Sequence, residues 1–167
     1  MTISLKYTWI PLYILLAFIF IKKLGARNGI ILIAGALLCV ICTDLVSSKI
    51  IKVLVERPRP CHTFIGQTSL WLPGGCGGAY GFVSSHAANT MGIAVFSILV
   101  FTKKIKGKLV TPFALLLLVY AFLNGISRIY LGKHFPTDVL CGAGLGVFAG
   151  FLIFFTLNKW LIKDLKK

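Results

Sequence analysis

Acidic residues are nearly missing from this sequence: four Asp and Glu face eighteen Lys and Arg in 167 residues, a formal net charge of +14. Polar surface of any kind is short. Only 13% of the residues are charged while 57% are hydrophobic, and the mean hydropathy is +0.91. A soluble domain cannot hide that much apolar surface, so the composition excludes an ordinary soluble globular protein. A basic surplus can mark nucleic-acid binding. Here the bases sit in short clusters between long apolar runs, as in membrane loops, and no nucleic-acid partner is expected. A small-residue cleavage site is also absent: the first apolar run ends in Lys22-Lys23, so no removable signal peptide is expected. The five cysteines form no zinc-ligand spacing. Cys39, Cys42 and Cys141 lie in apolar runs as inert packing residues. Cys61 and Cys76 flank a polar loop, and pair as a disulfide if that loop faces an oxidising compartment or stay free if it does not.

What is present in quantity is apolar sequence, in five segments: Tyr7 to Ile21, Ile30 to about Val55, about Ser85 to Thr102, Leu109 to Ile129, and about Pro136 to Leu157. Each is long enough, or nearly so, to cross about 30 Å of hydrocarbon. Trp9 and Trp160 stand near segment ends, as interfacial aromatics do. The expected fold is therefore all-α, a multi-pass transmembrane helix bundle forming one domain over residues 1–167. No repeat or low-complexity tract interrupts it. Five spans put the first connection (Lys22, Lys23, Arg27), the third (Lys103, Lys104, Lys106, Lys108) and the tail (Lys159, Lys163, Lys166, Lys167) on one side. That side carries eleven of the eighteen bases and is expected to be cytoplasmic. The Pro- and Gly-rich loop 56–83 then lies on the opposite, extracytoplasmic face. Gly142, Gly146 and Gly150, four apart, share one helix face suited to close packing in lipid.

Charges near membrane helices need reasons. Lys52 is followed by Arg57-Pro58-Arg59-Pro60, whose prolines end the second helix. These bases serve as interfacial anchors or, in the case of Arg59, as a guanidinium fork matched to phosphate oxygens. Ser84-Ser85-His86 opens the third helix: Ser84 caps it, and the first-turn N–H groups offer an anion site beside His86. Ser127-Arg128 closes the fourth helix, and His134, Pro136 and Asp138 open the fifth. Pro136 suits a first-turn position, and Asp138 is either a dipole-favoured first-turn acid or the hydrogen-bond partner of His134. The topology collects all three sites on one face. Three cations, two histidines, one carboxylate and a helix N-terminus suit phosphoryl transfer best. Asp44, two turns before Lys52, is expected to be its buried partner. Arg57 and Lys133 read as rim charges and His62 as a loop residue.

These residues resemble the three motifs of the type 2 phosphatidic acid phosphatase superfamily, whose fold is shared by soluble vanadium haloperoxidases. Lys52, six residues, then Arg59-Pro60 looks like the first motif. Ser84-Ser85-His86 resembles the second, usually Pro-Ser-Gly-His, with Val83 and Ser85 replacing the usual Pro and Gly. Ser127-Arg128, five residues, His134, three residues and Asp138 look like the third. Bacterial members usually have six membrane helices against the five read here. The further helix would precede Tyr7, and the expectation is that Met1 lies inside the ancestral domain.

The resemblance implies a lipid phosphate or diphosphate phosphatase with its active site at the outer membrane–water interface of the plasma membrane. His134 attacks phosphorus, oriented by Asp138, and His86 protonates the leaving oxygen. Lys52, Arg59, Ser84, Ser85 and Arg128 hold the phosphate, so neither metal nor cofactor is implied, in keeping with the few acids. Undecaprenyl diphosphate, lipid A, phosphatidylglycerol phosphate and phosphatidate are candidate substrates. The alternatives are a non-catalytic lipid-phosphate-binding membrane protein and an anion transporter component. The apolar spans disfavour the latter, because conduction needs polar residues through the depth of several helices.

Overall fold

A computed structural model describes residues 25–64, 75–104 and 108–162, with positions 14, 17, 18 and 21–23, and side chains as far as Asn158. Most of the expected Tyr7–Ile21 span, Trp9 and the tail beyond Ile162 fall outside the described residues, as do the side chains of Lys159 and Trp160. Helix α1 (Ala26–Leu45) passes through a π-helical turn (Val46–Ile51) into α2 (Lys52–Val55). Then follow α3 (Pro60–Thr63), α4 (Ser85–Lys104), α5 (Val110–Tyr130) and α6 (Pro136–Ile162). Among the described residues four stretches are long and apolar enough to cross a membrane: Ala26–Val55, Ser85–Lys104, Val110–Tyr130 and Pro136–Asn158. The described residues contain no β-strand, only the isolated antiparallel bridge between Pro58 and Tyr80. The chain is an all-α, multi-pass membrane protein, and the four described spans begin and end within a few residues of the sequence expectation. Ala26 to Val55 is the exception, starting earlier than Ile30; its 30 residues reach about 45 Å.

Between helices in lipid there is little hydrophobic driving force, so close backbone contact must hold them together. The α4–α6 pair is built that way. A Cβ on Gly142 would lie 2.5 Å from the Ser84 carbonyl oxygen, and one on Gly150 2.9 Å from that of Gly92. A Cβ on Gly146 would collide with the Ala88 carbonyl. The three glycines therefore seat α6 directly on the helix that carries the second motif. Helix α1 approaches from another side, where Gly35 leaves room for the fully buried Phe96 ring. Leu32, Cys39, Phe96, Val100, Phe101, Ile153 and Phe154 join α1, α4 and α6 in one cluster. Helix α5 leans on α4 through Ala94, Leu117 and Ala121, and Phe113 of α5 packs on Phe101 with ring centroids 4.2 Å apart. Large apolar side chains such as Leu37, Leu116, Phe122, Leu140 and Phe148 point outward on every long helix but α4, which is the central one. That pattern fits a lipid solvent.

Candidate active site

Three loops meet at the end of the bundle where α2 stops. Glu56 ends α2 in the left-handed region (φ 51°), its N–H returning to the Lys52 carbonyl at 3.1 Å. Pro58 and Pro60 then keep the chain extended until Pro60 starts α3 at its first turn. This stretch is pinned on both sides. Gly81 N–H donates to the Arg57 carbonyl (2.8 Å) and Arg59 N–H to that of Ala79 (3.2 Å), while Cys61 N–H donates to the Gly132 carbonyl (3.0 Å). Cys61 and Cys76 form a disulfide (Cα–Cα 5.9 Å), so of the two states left open the bonded one occurs. Among the described residues, the one group of His, Cys and acidic side chains close enough to share a metal ion is Cys61, His62 and Cys76, and both its thiols are taken by the disulfide.

The second motif enters α4 from a fully buried Ser84, whose N–H donates to the Asp138 carbonyl at 2.9 Å. Its carbonyl accepts from Ala88 N–H at 3.0 Å and its hydroxyl from Ala87 N–H at 3.4 Å, the expected capping role. Ser85 turns the other way. Its Oγ lies 2.6 Å from Lys52 Nζ, 2.7 Å from Ser47 Oγ and 3.2 Å from Ser48 Oγ.

The third motif follows α5, where Gly132 (φ 61°) makes the turn that only a residue without a Cβ adopts freely. His134 and Asp138 are both buried, 3% and 0% exposed. The expected hydrogen bond between them is not formed: His134 Nδ1 sits 3.6 Å from Asp138 Oδ2 and has no hydrogen-bond partner. The carboxylate is engaged elsewhere. Oδ2 accepts the Phe135 N–H at 2.9 Å, reaching back over the start of α6 as an N3 acid does in a capping box. Oδ1 pairs with Arg57 Nη1 at 2.9 Å. Arg57 also donates to Thr137 Oγ1 (2.7 Å) and lies 4.2 Å over the Phe135 ring. It is thus no rim charge but the counterion of the buried acid. The sequence carries no local signal for it; only the burial of Asp138 shows that this acid needs a cation.

Asp44 is a second correction. It is exposed on α1, not buried against Lys52, whose ammonium goes to Ser85 instead. Arg59 donates Nε–H to the Tyr80 carbonyl at 3.2 Å and packs against Gly77 and Gly81. Burial lowers the Arg59 pKa, partly offset by Asp138. Lys133 is half-buried and is lowered by burial and then by Arg128 and Arg59, so it too stands closer to the cations than a rim residue would. Arg128 is 4% exposed and feels the charge of Arg59. The His134 imidazole is pushed down to about 3, first by burial, then by Arg59 and Lys52; a backbone hydrogen bond with Gly81 works the other way, and His86 adds a further small depression. At neutral pH that imidazole is uncharged, so its approach to Asp138 is a contact rather than a salt bridge. His62 is exposed, on the short helix α3 rather than in a loop.

Lys52 from α2, Arg59 from the start of α3, Ser84, Ser85 and His86 from the start of α4, Arg128 from the end of α5, and His134 and Asp138 from the start of α6 thus come to one end of the bundle. An uncharged imidazole among several cations, with a single carboxylate, is equipped to receive a phosphate and attack it.

A model of the PAP2 superfamily matches residues 29–162. A lipid A 4'-phosphatase of Bacteroides thetaiotaomicron is 31% identical over 156 residues, 92% of this chain. Another, of Porphyromonas gingivalis, is 30% identical over 165 residues, 95% of this chain. The chain spans 66% of the length of each. The crystal structure of a transmembrane PAP2 type phosphatidylglycerolphosphate phosphatase from Bacillus subtilis superposes with a TM-score of 0.68 at 26% identity, covering 93% of this chain and 72% of that one.

Proposed function

The chain belongs to the PAP2 superfamily, and on that premise we propose that it is a membrane phosphatase that hydrolyses a lipid phosphate or diphosphate through a phosphohistidine. The observation that carries the proposal is the uncharged, buried His134 set among Arg59, Lys52 and His86. His134 Nδ1 faces Asp138, which leaves Nε2 to attack phosphorus. As the N–P bond forms, the bond to the leaving oxygen breaks and His86 supplies its proton. Water, deprotonated by His86, then attacks phosphorus and breaks the N–P bond, releasing inorganic phosphate. Lys52, Arg59 and Arg128 carry the charge that builds on the phosphoryl oxygens. Ser84 contributes its helix N-terminus.

The lipid A 4'-phosphatase relatives make a lipid A phosphomonoester the first substrate to test. Undecaprenyl diphosphate, phosphatidylglycerol phosphate and phosphatidate are the others. The site faces the extracytoplasmic side of the plasma membrane in this proposal. Two observations favour that side: the basic clusters of the opposite connections and the Cys61–Cys76 disulfide, a bond of oxidising compartments. The test is phosphate release from a panel of these lipids by purified protein with EDTA present. His134→Ala should abolish release, and acid-labile label from radiolabelled substrate should appear on the unaltered protein alone. Turnover by His134→Ala would end the mechanism; binding without turnover by the unaltered protein would leave a lipid-phosphate-binding protein.

A further inference from the structure

The turn that joins α1 to α2 has a chemical consequence for the proposed phosphate site. In an α-helix, residues five apart are separated by about 500° of rotation at about 100° per residue, so they point to different faces. Val46–Ile51 is wound as a π-helix, and the Lys52 N–H closes the longer i→i+5 bond onto the Ser47 carbonyl. That extra residue per turn stacks Lys52 on Ser47. Both side chains then reach the same atom, Ser85 Oγ, at 2.6 and 2.7 Å. Ser47 is fully buried and Ser85 nearly so. A hydroxyl oxygen accepts two hydrogen bonds. The Lys52 ammonium has no other role than donor, and with the Ser47 O–H it fills both lone pairs of Ser85. The Ser85 proton is left to give; Ser48 Oγ lies 3.2 Å away, where either hydroxyl can be the donor, and Ser47 Oγ also reaches the Asp44 carbonyl at the longer distance of 3.3 Å.

We infer that Ser47, brought beneath Lys52 by the π-helical turn, is a positioning residue that acts through Ser85 to hold the Lys52 ammonium for the substrate phosphate. Ser85 stands where the resembled motif usually has glycine, which offers no such oxygen. When an anion arrives, the Ser85 proton turns from Ser48 to a phosphoryl oxygen, so the hydroxyl that steadies the lysine also donates to the substrate. The inference rests on the phosphatase reading above and assigns Ser47 and Ser85 to it as a unit.

The test uses the full chain in detergent micelles with dioctanoyl phosphatidate as substrate and inorganic phosphate as competing ligand. Ser47→Ala should raise KM and the inhibition constant for phosphate up to about tenfold with kcat within about threefold, the effect of one buried hydrogen bond between hydroxyls. Ser47→Thr, which keeps the hydroxyl, should restore both constants to within about twofold. In a Lys52→Ala background, and separately in a Ser85→Gly background, Ser47→Ala should add nothing further. Additive losses in those double variants, or unchanged KM and phosphate inhibition in Ser47→Ala, would overturn the inference. If Ser47→Ala does not fold, Ser47→Cys, a weak donor of similar size, takes its place in the same two cycles, with additivity again refuting the inference. Full activity of Lys52→Ala would refute the inference together with the phosphate site beneath it. Activity lost in Lys52→Ala with no coupling to Ser47 or Ser85 would refute the inference alone.

Discussion

Replacing Arg57 with Ala removes the counterion of Asp138 and tests how the buried acid is used. The guanidinium makes a 2.9 Å pair with Oδ1, a 2.7 Å bond to Thr137 and a stacking contact on Phe135. Removing one partner of a fully buried ion pair costs about 3–5 kcal/mol. Asp138 is fully buried but Arg57 is 36% exposed, so water can replace part of what is lost, and about 2–3 kcal/mol is the expected cost. Losing the cation over the ring adds about 0.5 kcal/mol. The variant should therefore melt earlier in micelles by several degrees.

The kinetic consequence has a definite sign. Arg57 cancels part of the charge with which Asp138 would stabilise a protonated His134. Without it the carboxylate swings toward the imidazole, the 3.6 Å gap closes, and the His134 pKa rises from its depressed value of about 3. The other groups around His134, namely Arg59, Lys52 and His86, remain and keep it below its ordinary range. The acid limb of kcat/KM should move up by about one unit, since a unit equals about 1.4 kcal/mol of differential interaction. Arg57→Lys keeps the charge without the fork and should fall between the two. Phosphate release measured against pH, with melting followed in the same micelles, decides the matter. An Arg57→Ala protein with unaltered melting and an unaltered pH profile would mean that Arg57 is a surface charge and that Asp138 is not its ward.

Three further outcomes are expected. A 15N histidine titration should show one of the three imidazoles unprotonated down to about pH 3; because that folded pKa lies below the unfolded 6.5, its contribution to stability is present above 6.5 and lost as pH falls toward 3, and an imidazole titrating near 6.5 in all three positions would contradict the burial argument. Gly146→Ala should cost about 1–3 kcal/mol of micelle stability by forcing the Ala88 carbonyl away, whereas Gly144→Ala, with open space around it, should cost nothing, and equal melting of the two would refute backbone contact between α4 and α6. Reducing the Cys61–Cys76 bond, or Cys61→Ser, should raise KM for a lipid phosphate severalfold by loosening the segment that carries Arg59, while Cys141→Ser, on an exposed surface, should leave KM unchanged.

The four spans described were legible because apolar runs bounded by Pro, Gly and basic clusters are long-range signals that neighbouring chains do not alter. The family was legible too, through the resemblance of the stretches around Lys52 and Arg59, Ser84 and His86, and Arg128, His134 and Asp138 to its three motifs. What could not be read was pairing. Arg57 and Asp138 are eighty-one positions apart, and nothing local distinguishes a counterion from a rim charge. Asp44 was read as a buried partner of Lys52, but its carboxylate stands exposed on α1 while the Lys52 ammonium is taken up by Ser85. The π-helical turn hid Ser47, which five residues before Lys52 looks remote on an α-helix. Asp138 was read as either a cap or a partner for His134; in the structure its Oδ2 takes the capping bond to Phe135, and this is why the imidazole is left at 3.6 Å.

That unfilled position bears on how the proposed nucleophile is made ready. Burial first, and then the cations that would bind a phosphate, hold His134 uncharged, and both weaken it as a nucleophile, since basicity and attacking power fall together. An arriving phosphate reverses the balance. Its negative oxygens lie against Arg59 and Lys52, cancel their field at the imidazole, and leave Asp138 as the nearest uncompensated charge. His134 gains basicity at the moment a phosphorus atom is in front of it, and the proton that remains on Nδ1 gains an acceptor 3.6 Å away that a small rotation brings within reach. On this reasoning vanadate or inorganic phosphate should raise the His134 pKa above about 3, while burial, the larger cause, keeps it below its ordinary range. A ligand without negative charge, however well it fits, should leave it where it is.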